Sequence, residues 1–512
     1  MVMPADYPRR CAERWPEKPA ILCGPHRVTY GALEARTRRY HELTHEWQLQ
    51  PGGRVALLAR NSDLYFPVLF GGMRSGTVLV PLNWRCTAPE IAYVLRDSDA
   101  ALVLVDPEFL HVAQRAAAEC TTPPTIIVTE DHPGAGQSLR ALLEQPAQPG
   151  IANEGTADPS AVCVQLYTSG TTGRPKGALL TQSGLGLARQ AELVLPDWAD
   201  FTDQDTILSP MPNFHCAGLS WMLIGLLRGC TCVLTGDPSP ANVLALCRAH
   251  SVSRTFIVPT VIRGLVDAVK ADGLGPPPLR TIYYGAATIG LSLLHDAIAT
   301  FGCGFAQFYG MTENTGSVTL LAPADHDAAR PHLLGSVGRV LPGMAIEIRD
   351  PDGRPLPIDT AGEIWIKAPT LMQGYWKRPE ATREALVDGW YRSGDGGYLD
   401  AEGFLYLTDR IRDMVISGGE NVYPAEVEEE IRRHPAVLDA AVVGRPHEKW
   451  GEAVIAVVEL RPDHALAGAD LVAFLRPRLA GFKIPREVIA VPALPRTASG
   501  KIQRSEVRRH FL

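Results

Sequence analysis

From position 54 onward, short apolar runs alternate with longer stretches whose apolar residues recur at helical spacing. Runs at 55–58, 78–81, 101–105, 126–129, 162–167, 206–210, 231–235, 255–258 and 281–284 are rich in Val, Ile, Leu, Thr and Tyr. Their length and composition predict strands, with a helix near 65–74 between the first two. Strands separated by helices predict parallel sheets covered on both faces. The most apolar stretch, 216–234, is interrupted by Arg228 and by glycines. It reads as a buried helix running into a strand, not as a membrane span. Segment 133–159 is rich in Gly, Pro, Ala and Gln and predicts a solvent-exposed connection.

After Leu334 the texture changes. Short strands are expected at 346–349, 363–367, 390–393 and 404–407, divided by turns such as Asp350-Pro351-Asp352-Gly353. They predict a smaller all-β unit. Beyond Arg410 a helix is expected over 424–434, acidic in its first half and basic at its end, as the helix dipole favours. Strands at 440–443 and 453–459 and a helix from 470 complete a small α+β domain. No internal repeat is visible.

Composition narrows the function. A chain of 512 residues is too long for one core. Hydrophobic content of 46% with 21% charge describes a globular protein, and a net charge of −7 argues against nucleic acid as a partner. The 10 cysteines are scattered without a C-x-x-C pair, and Cys230 and Cys232 stand too close together for the usual zinc spacing. Reduced thiols in a cytoplasmic enzyme are expected. The first residues lack an apolar segment, so no secretory signal is expected and any membrane contact would be peripheral.

Candidate chemistry starts at Tyr167-Thr168-Ser169-Gly170-Thr171-Thr172-Gly173-Arg174-Pro175-Lys176-Gly177. A predicted strand opens there into glycines, hydroxyls and cations, the means of gripping a polyphosphate. It is not a Walker A loop, because Pro175 stands where the second glycine counted from Gly170 belongs. The bland alternative is a flexible surface loop. Tyr283-Tyr284-Gly285-Ala286-Ala287 ends a strand in small residues, leaving room for a flat ring. Phe308-Tyr309-Gly310-Met311-Thr312-Glu313 offers an aromatic face, a hydroxyl and a carboxylate, and Tyr391-Arg392-Ser393-Gly394-Asp395 a carboxylate for paired sugar hydroxyls. Pro495-Arg496-Thr497-Ala498-Ser499-Gly500-Lys501-Ile502 exposes a lysine on a turn. Taken singly, each of these reads as a turn or a surface charge.

In this order, and with Asn213-Phe214-His215-Cys216-Ala217-Gly218 and the stretch 409–428, the set resembles the adenylate-forming superfamily. That superfamily comprises acyl-CoA synthetases, adenylation domains and beetle luciferases. The likeness covers nearly the whole chain and is strongest to medium- or long-chain fatty acyl-CoA ligases. It implies an α/β fold: a large N-terminal domain over 1–410, of two α/β subdomains plus a β-barrel-like subdomain, and a small mobile α+β C-terminal domain over 411–512. The implied reaction has two steps. A carboxylate attacks the α-phosphorus of ATP and releases pyrophosphate; a thiol then attacks the acyl-adenylate and releases AMP.

The resemblance also implies residue roles. Thr168, Ser169, Gly170, Thr171, Thr172, Gly173 and Lys176 would hold the β- and γ-phosphates. Tyr309 would stack on adenine, with Gly285, Ala286 and Ala287 on the other side. Thr312 would touch the α-phosphate, Glu313 would hold Mg²⁺, and Asp395 and Arg410 would take the ribose. Lys501 would bridge carboxylate and α-phosphate as two anions approach. Arg412 stands where the family often has an Asp or Lys hinge, with Asp413 next.

For the acid, no carboxylate follows Asn213 to pair with a substrate ammonium, which disfavours an α-amino acid. His215 resembles a gate beside the acyl pocket, the alternative being a satisfied core histidine; Cys216, Ala217, Gly218, Met311 and Val318 would line that pocket. For the acceptor, Gly418 and Gly419 would let a pantetheine arm pass, with Trp450, Phe482 and Lys483 as candidates for the coenzyme A nucleotide. The expected activity is ATP-dependent ligation of a hydrophobic, medium- or long-chain fatty acid to coenzyme A, by a monomer or homodimer. The alternatives are an aryl-acid CoA ligase and an enzyme that loads a carrier protein's phosphopantetheine. Lys501→Ala is expected to cripple adenylation far more than thioester formation from preformed adenylate; equal loss in both half-reactions counts against the bridging role.

Overall fold

The computed structural model describes residues 2–147, 158–169, 174–195, 200–286, 289, 291–327, 329–407, 415–422, 424–495, 502 and 504–512. The predicted strands assemble into two α/β sheets. One has six strands in the order Thr125–Val128, Ala100–Val105, Arg54–Leu58, Val78–Pro81, Val162–Ser169 and Pro175–Thr181. All neighbours in it are parallel except the last pair. Val55, Ala56, Leu57 and Leu58 are all buried. Such a continuously apolar run is what a strand covered on both faces requires.

The second sheet has nine strands. Its parallel centre runs from Gly304–Met311 through Thr281–Gly285, Arg254–Ile257, Thr206–Ser209 and Thr231–Leu234 to Pro19–Cys23. Antiparallel strands close both edges: Gly316–Leu321 and Arg339–Val340 at one, His26–Thr29 at the other. The apolar stretch at 216–234 divides as expected into the helix Cys216–Arg228 and the strand Thr231–Leu234.

The smaller β unit is a five-stranded antiparallel sheet built on Ala345–Arg349, Gly362–Lys367 and Trp390–Leu399. Ile348, Ile364, Ile366 and Leu405 belong to the same apolar cluster as Phe66, Leu166 and Leu219, so this sheet is welded to the larger part. The last sheet pairs Val437–His447 with Gly451–Leu460 and carries the hairpin Val415–Ser417/Glu420–Val422 at one edge. Two apolar clusters cover it, and every member of both lies beyond residue 414. That separation of cores makes it a small domain distinct from the rest. Among the described residues no helix is long and apolar enough to cross a membrane, and the cysteines are unpaired.

Two expectations need correction. Segment 133–159 is not wholly a solvent-exposed connection: Ser138 caps a short helix, Leu139–Leu143, whose Leu139 and Leu143 are buried. Arg140 in it donates to Asp63, a carboxylate only 1% exposed that Arg36 also reaches, at 2.8 and 3.0 Å. The arginine supplies charge that a Gly/Pro-rich composition hides. The second correction concerns Thr168 and Lys176. Both were expected in an open loop, but they sit opposite each other in an antiparallel hairpin.

Gly338 joins the large sheet to the small one, its φ of +85° lying in the left-handed region. A Cβ there would fall 2.0 Å from the Leu320 carbonyl and the Leu321 nitrogen. Backbone strain and overpacking together predict that Gly338→Ala destabilises the protein by about 3 kcal/mol, measured by denaturant unfolding.

Candidate active site

Glu313 lies at the carboxyl ends of the parallel strands, in the single turn Thr312–Asn314 that follows Gly304–Met311. Thr315 next to it is left-handed, at φ +60°, and its hydroxyl is tied to the Thr370 carbonyl. The turn therefore points a buried carboxylate at the hairpin. Thr168 Oγ1 donates to Glu313 Oε1 at 3.0 Å and the Tyr375 hydroxyl donates to the same oxygen at 2.8 Å. Burial pushes the Tyr375 pKa far up and the neighbouring Glu313 charge adds to it, so this phenol keeps its proton and donates. Lys176 lies over the Tyr375 ring, 5.3 Å from its centroid. Both hydrogen bonds use Oε1, which leaves Oε2 to take a cation. Tyr375 carries no motif around it and was not foreseen. Ser169 is the last residue of its strand; Gly170, Thr171, Thr172, Gly173, Ala287, Arg410, Arg412 and Lys501 lie outside the described residues.

A second group stands beside the first. The buried Tyr309 hydroxyl donates to Asp395 Oδ2 at 2.7 Å, and the Asp395 backbone N–H is held by Ser393 Oγ. Asp395 Oδ1 is left for other donors. Ala286 is exposed and left-handed, at φ +62°. Gly285 is small for a reason other than the one expected: a Cβ there would sit 2.4 Å from the Phe308 carbonyl of the adjacent strand.

A third group joins the small domain to the large one. His215 precedes the helix Cys216–Arg228, and its Nε2 lies 2.9 Å from Glu420 Oε2. Arg85 pairs with the other oxygen of Glu420. Burial works to raise the Glu420 pKa, but His215, Arg85 and Lys483 outweigh it and hold the carboxyl below its ordinary value. Gly418 and Gly419 adopt φ +62° and +82°, open to glycine at little cost. They line a narrow cavity of about 70 Å³ together with Trp84, Arg85, His215 and Val258. Trp450 packs behind Gly418, with Lys449 and Arg486 4.7 and 4.8 Å from its ring centroid.

Lys483 does not reach out to a nucleotide as expected. It is 5% exposed and bonded to Glu90 Oε1 at 2.9 Å and Glu426 Oε1 at 2.8 Å. Burial disfavours its charge, but the two carboxylates reverse that and raise its pKa. Phe482 packs on the small domain's core. Glu90 also caps the helix Ala88–Ser98, taking Thr87 N–H and Oγ1 on Oε2 at 2.7 and 2.8 Å.

Around the expected acyl pocket the structure gathers Cys216, Ala217 and Met311 near Ser220 and Gly316: Cys216 Sγ is 3.8 Å from Ser220 Oγ, and Gly316 pairs with Met311. Val318 is fully buried in the main core. Gly218 is small because the helix start lies against the chain before it, a Cβ there falling 2.3 Å from the Pro212 carbonyl. It does not leave space for a ligand. Arg189 and Glu192, one turn apart in the helix Gln182–Leu193, reach the same region and were not foreseen. Two charges inside an apolar helical face were the signal.

Comparison with known proteins agrees with this geometry. The family described as AMP-binding enzyme matches residues 8–376, and AMP-binding enzyme C-terminal domain matches residues 426–501. A feruloyl-CoA synthase of Amycolatopsis is 38% identical over 510 residues, covering 99% of this chain and 98% of that protein. The fatty acid–[acyl-carrier-protein] ligase ScoC of Streptomyces coeruleorubidus is 37% identical over 501 residues, covering 98% and 95%. Among solved structures, a doubly substituted o-succinylbenzoate CoA synthetase of Bacillus subtilis bound to its product analogue OSB-NCoA has a TM-score of 0.87 at 29% identity, over 99% and 98% of the chains. The same synthetase bound to its acyl-adenylate has a TM-score of 0.71 at 30% identity, over 99% of each chain.

The Glu420 contact predicts pH-dependent docking of the small domain. Its pKa is depressed when docked, so the contact contributes above the undocked carboxyl pKa and is lost as pH falls through the docked value. Acidification below the ordinary carboxyl value of 4.5, or Glu420→Gln at neutral pH, is expected to increase the radius of gyration in small-angle scattering; an unchanged radius in both would remove Glu420 as the clasp.

Proposed function

The chain belongs to the AMP-binding enzyme family, and on that premise we propose that it activates a non-amino carboxylic acid with ATP and passes the acyl group to coenzyme A. The observation that carries this reading is the convergence of Thr168, Lys176, Tyr375 and the Tyr309–Asp395 pair on the strand ends around Glu313. A hydroxyl, a cation, a buried carboxylate, an aromatic ring and a second carboxylate are the groups a nucleoside triphosphate needs. Thr168 and Lys176, with residues 170–173 between them in the sequence, would hold the phosphates that leave as pyrophosphate. Tyr309 would face adenine and Asp395 the ribose, while Thr312 would adjoin the α-phosphate.

The free Oε2 of Glu313 fits Mg²⁺, a hard cation that takes few protein ligands and several from water and phosphate. When bound, it would neutralise phosphate charge as the leaving group departs. Lys501, outside the described residues, would bridge carboxylate and α-phosphate.

The acceptor side rests on the small domain. Gly418, Gly419 and His215 line a cavity of about 70 Å³, which suits a slender arm such as pantetheine. The better superposition on the OSB-NCoA complex than on the adenylate complex favours a thioester-stage arrangement. Lys449 and Arg486 beside Trp450 make no ion pair among the described residues, which suits a ring and phosphates of a nucleotide. The ScoC likeness favours a second reading, a carrier-protein phosphopantetheine as acceptor. Relatives named for fatty and for aryl acids keep both acid classes in view, an alkyl chain being our first choice.

Pyrophosphate release against a panel of fatty and aryl acids, with and without coenzyme A, tests the reading; release with no acid would overturn it. Lys449→Ala/Arg486→Ala is expected to raise the KM for coenzyme A about tenfold, roughly 1.4 kcal/mol of lost nucleotide contact, with little effect on pantetheine. Transfer to a phosphopantetheinyl carrier but not to coenzyme A would select the second reading.

A further inference from the structure

The floor of the acyl region holds charge that the reaction does not use. Arg189 is fully buried and Glu192 is 4% exposed, and they share a hydrogen bond from Arg189 Nη2 to Glu192 Oε1 at 2.8 Å. Among the described residues, Arg189 Nε and Nη1 are buried without a hydrogen-bond partner, and so is the Tyr7 hydroxyl. Tyr7 is itself 1% exposed and lies within electrostatic range of Arg189 and Glu192. Unmet donors at this depth are costly, each by about 1–3 kcal/mol, and a guanidinium by more. Three of them together describe a site awaiting an acceptor.

Their position links them to the acid. Gly316 has φ +129°, and a Cβ on it would lie 3.2 Å from Arg189 Nη2 and 3.1 Å from Ser220 Oγ. Gly316 pairs in register with Met311, and Ser220 adjoins Cys216, both expected to line the acyl pocket. The missing side chain at Gly316 is what brings Arg189 to this wall. Arg189 already meets one carboxylate in Glu192, at 2.8 Å, although burial leaves the Glu192 pKa raised. A second carboxylate on the substrate would face Glu192 and be repelled; a neutral oxygen would not.

We propose that Arg189, helped by Tyr7, selects acids whose far end carries a neutral hydrogen-bond acceptor, such as an ether, carbonyl or hydroxyl oxygen on a ring or chain. This rests on the acid-activating reading given above and makes the substrate an oxygenated hydrophobic acid, not a plain one. Arg189 is a specificity residue and touches no reacting atom. Discrimination of this kind is strong because a substrate lacking the oxygen leaves the buried donors unpaired.

The test compares pyrophosphate release for matched pairs: cinnamate with para-methoxycinnamate, and octanoate with ω-methoxyoctanoate. The wild-type enzyme is expected to prefer the oxygenated member of its better pair by about tenfold or more in kcat/KM. Arg189→Met alone strands Glu192, so Arg189→Met/Glu192→Leu is the decisive variant, since replacing both buried partners with apolar groups preserves folding. It is expected to reverse the preference, measured as the ratio of kcat/KM for the two members of the pair. A wild-type enzyme that favours plain acids, or a double variant that retains the oxygenated preference, overturns the inference and leaves acid activation intact. No pyrophosphate from any acid would instead remove the underlying reading, and the inference with it.

Discussion

One buried carboxylate organises the centre of this molecule. Glu313 accepts from Thr168 of the six-stranded sheet and from Tyr375 of the segment that links two strands of the small β sheet, while its own backbone continues the nine-stranded sheet. Its carbonyl also takes the Met372 N–H at 2.7 Å. Three sheets therefore converge on one side chain. A carboxylate taken out of water needs hydrogen bonds or a cation, and here two neutral donors meet the need without cancelling the charge. Under the proposed reading that negative field would serve a metal ion and its phosphates, so the demands of folding and of chemistry would fall on different oxygens of the same group.

The small domain is held on different terms. Its contacts with the rest of the protein are concentrated in ion pairs, Glu420 with Arg85 and His215 and Lys483 with Glu90. Buried ion pairs give geometric definition with little net stabilisation, because desolvation offsets most of the attraction. Apolar welding of the kind that unites the three larger sheets would make the docked state permanent. A clasp of charges specifies one docked position at little cost to its release, which suits the two half-reactions proposed.

Much of this was legible in the sequence because strand ends carry motif residues close together in the chain. The parallel sheets, the helix Cys216–Arg228, the small β sheet and the strands of the last domain all follow from apolar periodicity. The first fifty residues were opaque: Pro19–Cys23 and His26–Thr29 are short, and the strand that ties this hairpin into the sheet, Thr231–Leu234, lies far along the chain. Contacts set by distant packing were equally hidden. Tyr375 meets Glu313 only through the fold, and Lys483 looked like an exposed cation until two carboxylates from separate helices enclosed it. Glycines misled in a systematic way. Gly218 and Gly285 suggest room for a ligand, yet each is small because another stretch of main chain presses against it.

Glu90 keeps its two obligations on separate atoms. Oε2 serves the helix start at Thr87, while Oε1 takes Lys483 and, at 3.4 Å, the Ala480 N–H of the small domain. Were the small domain to undock, only the Oε1 partners would leave. The helix Ala88–Ser98 would stay capped, and the newly bared carboxylate would sit at a helix start, where the backbone dipole welcomes negative charge. The vacated berth would thus be a finished surface that needs no repair, and each return would find its landing point already built.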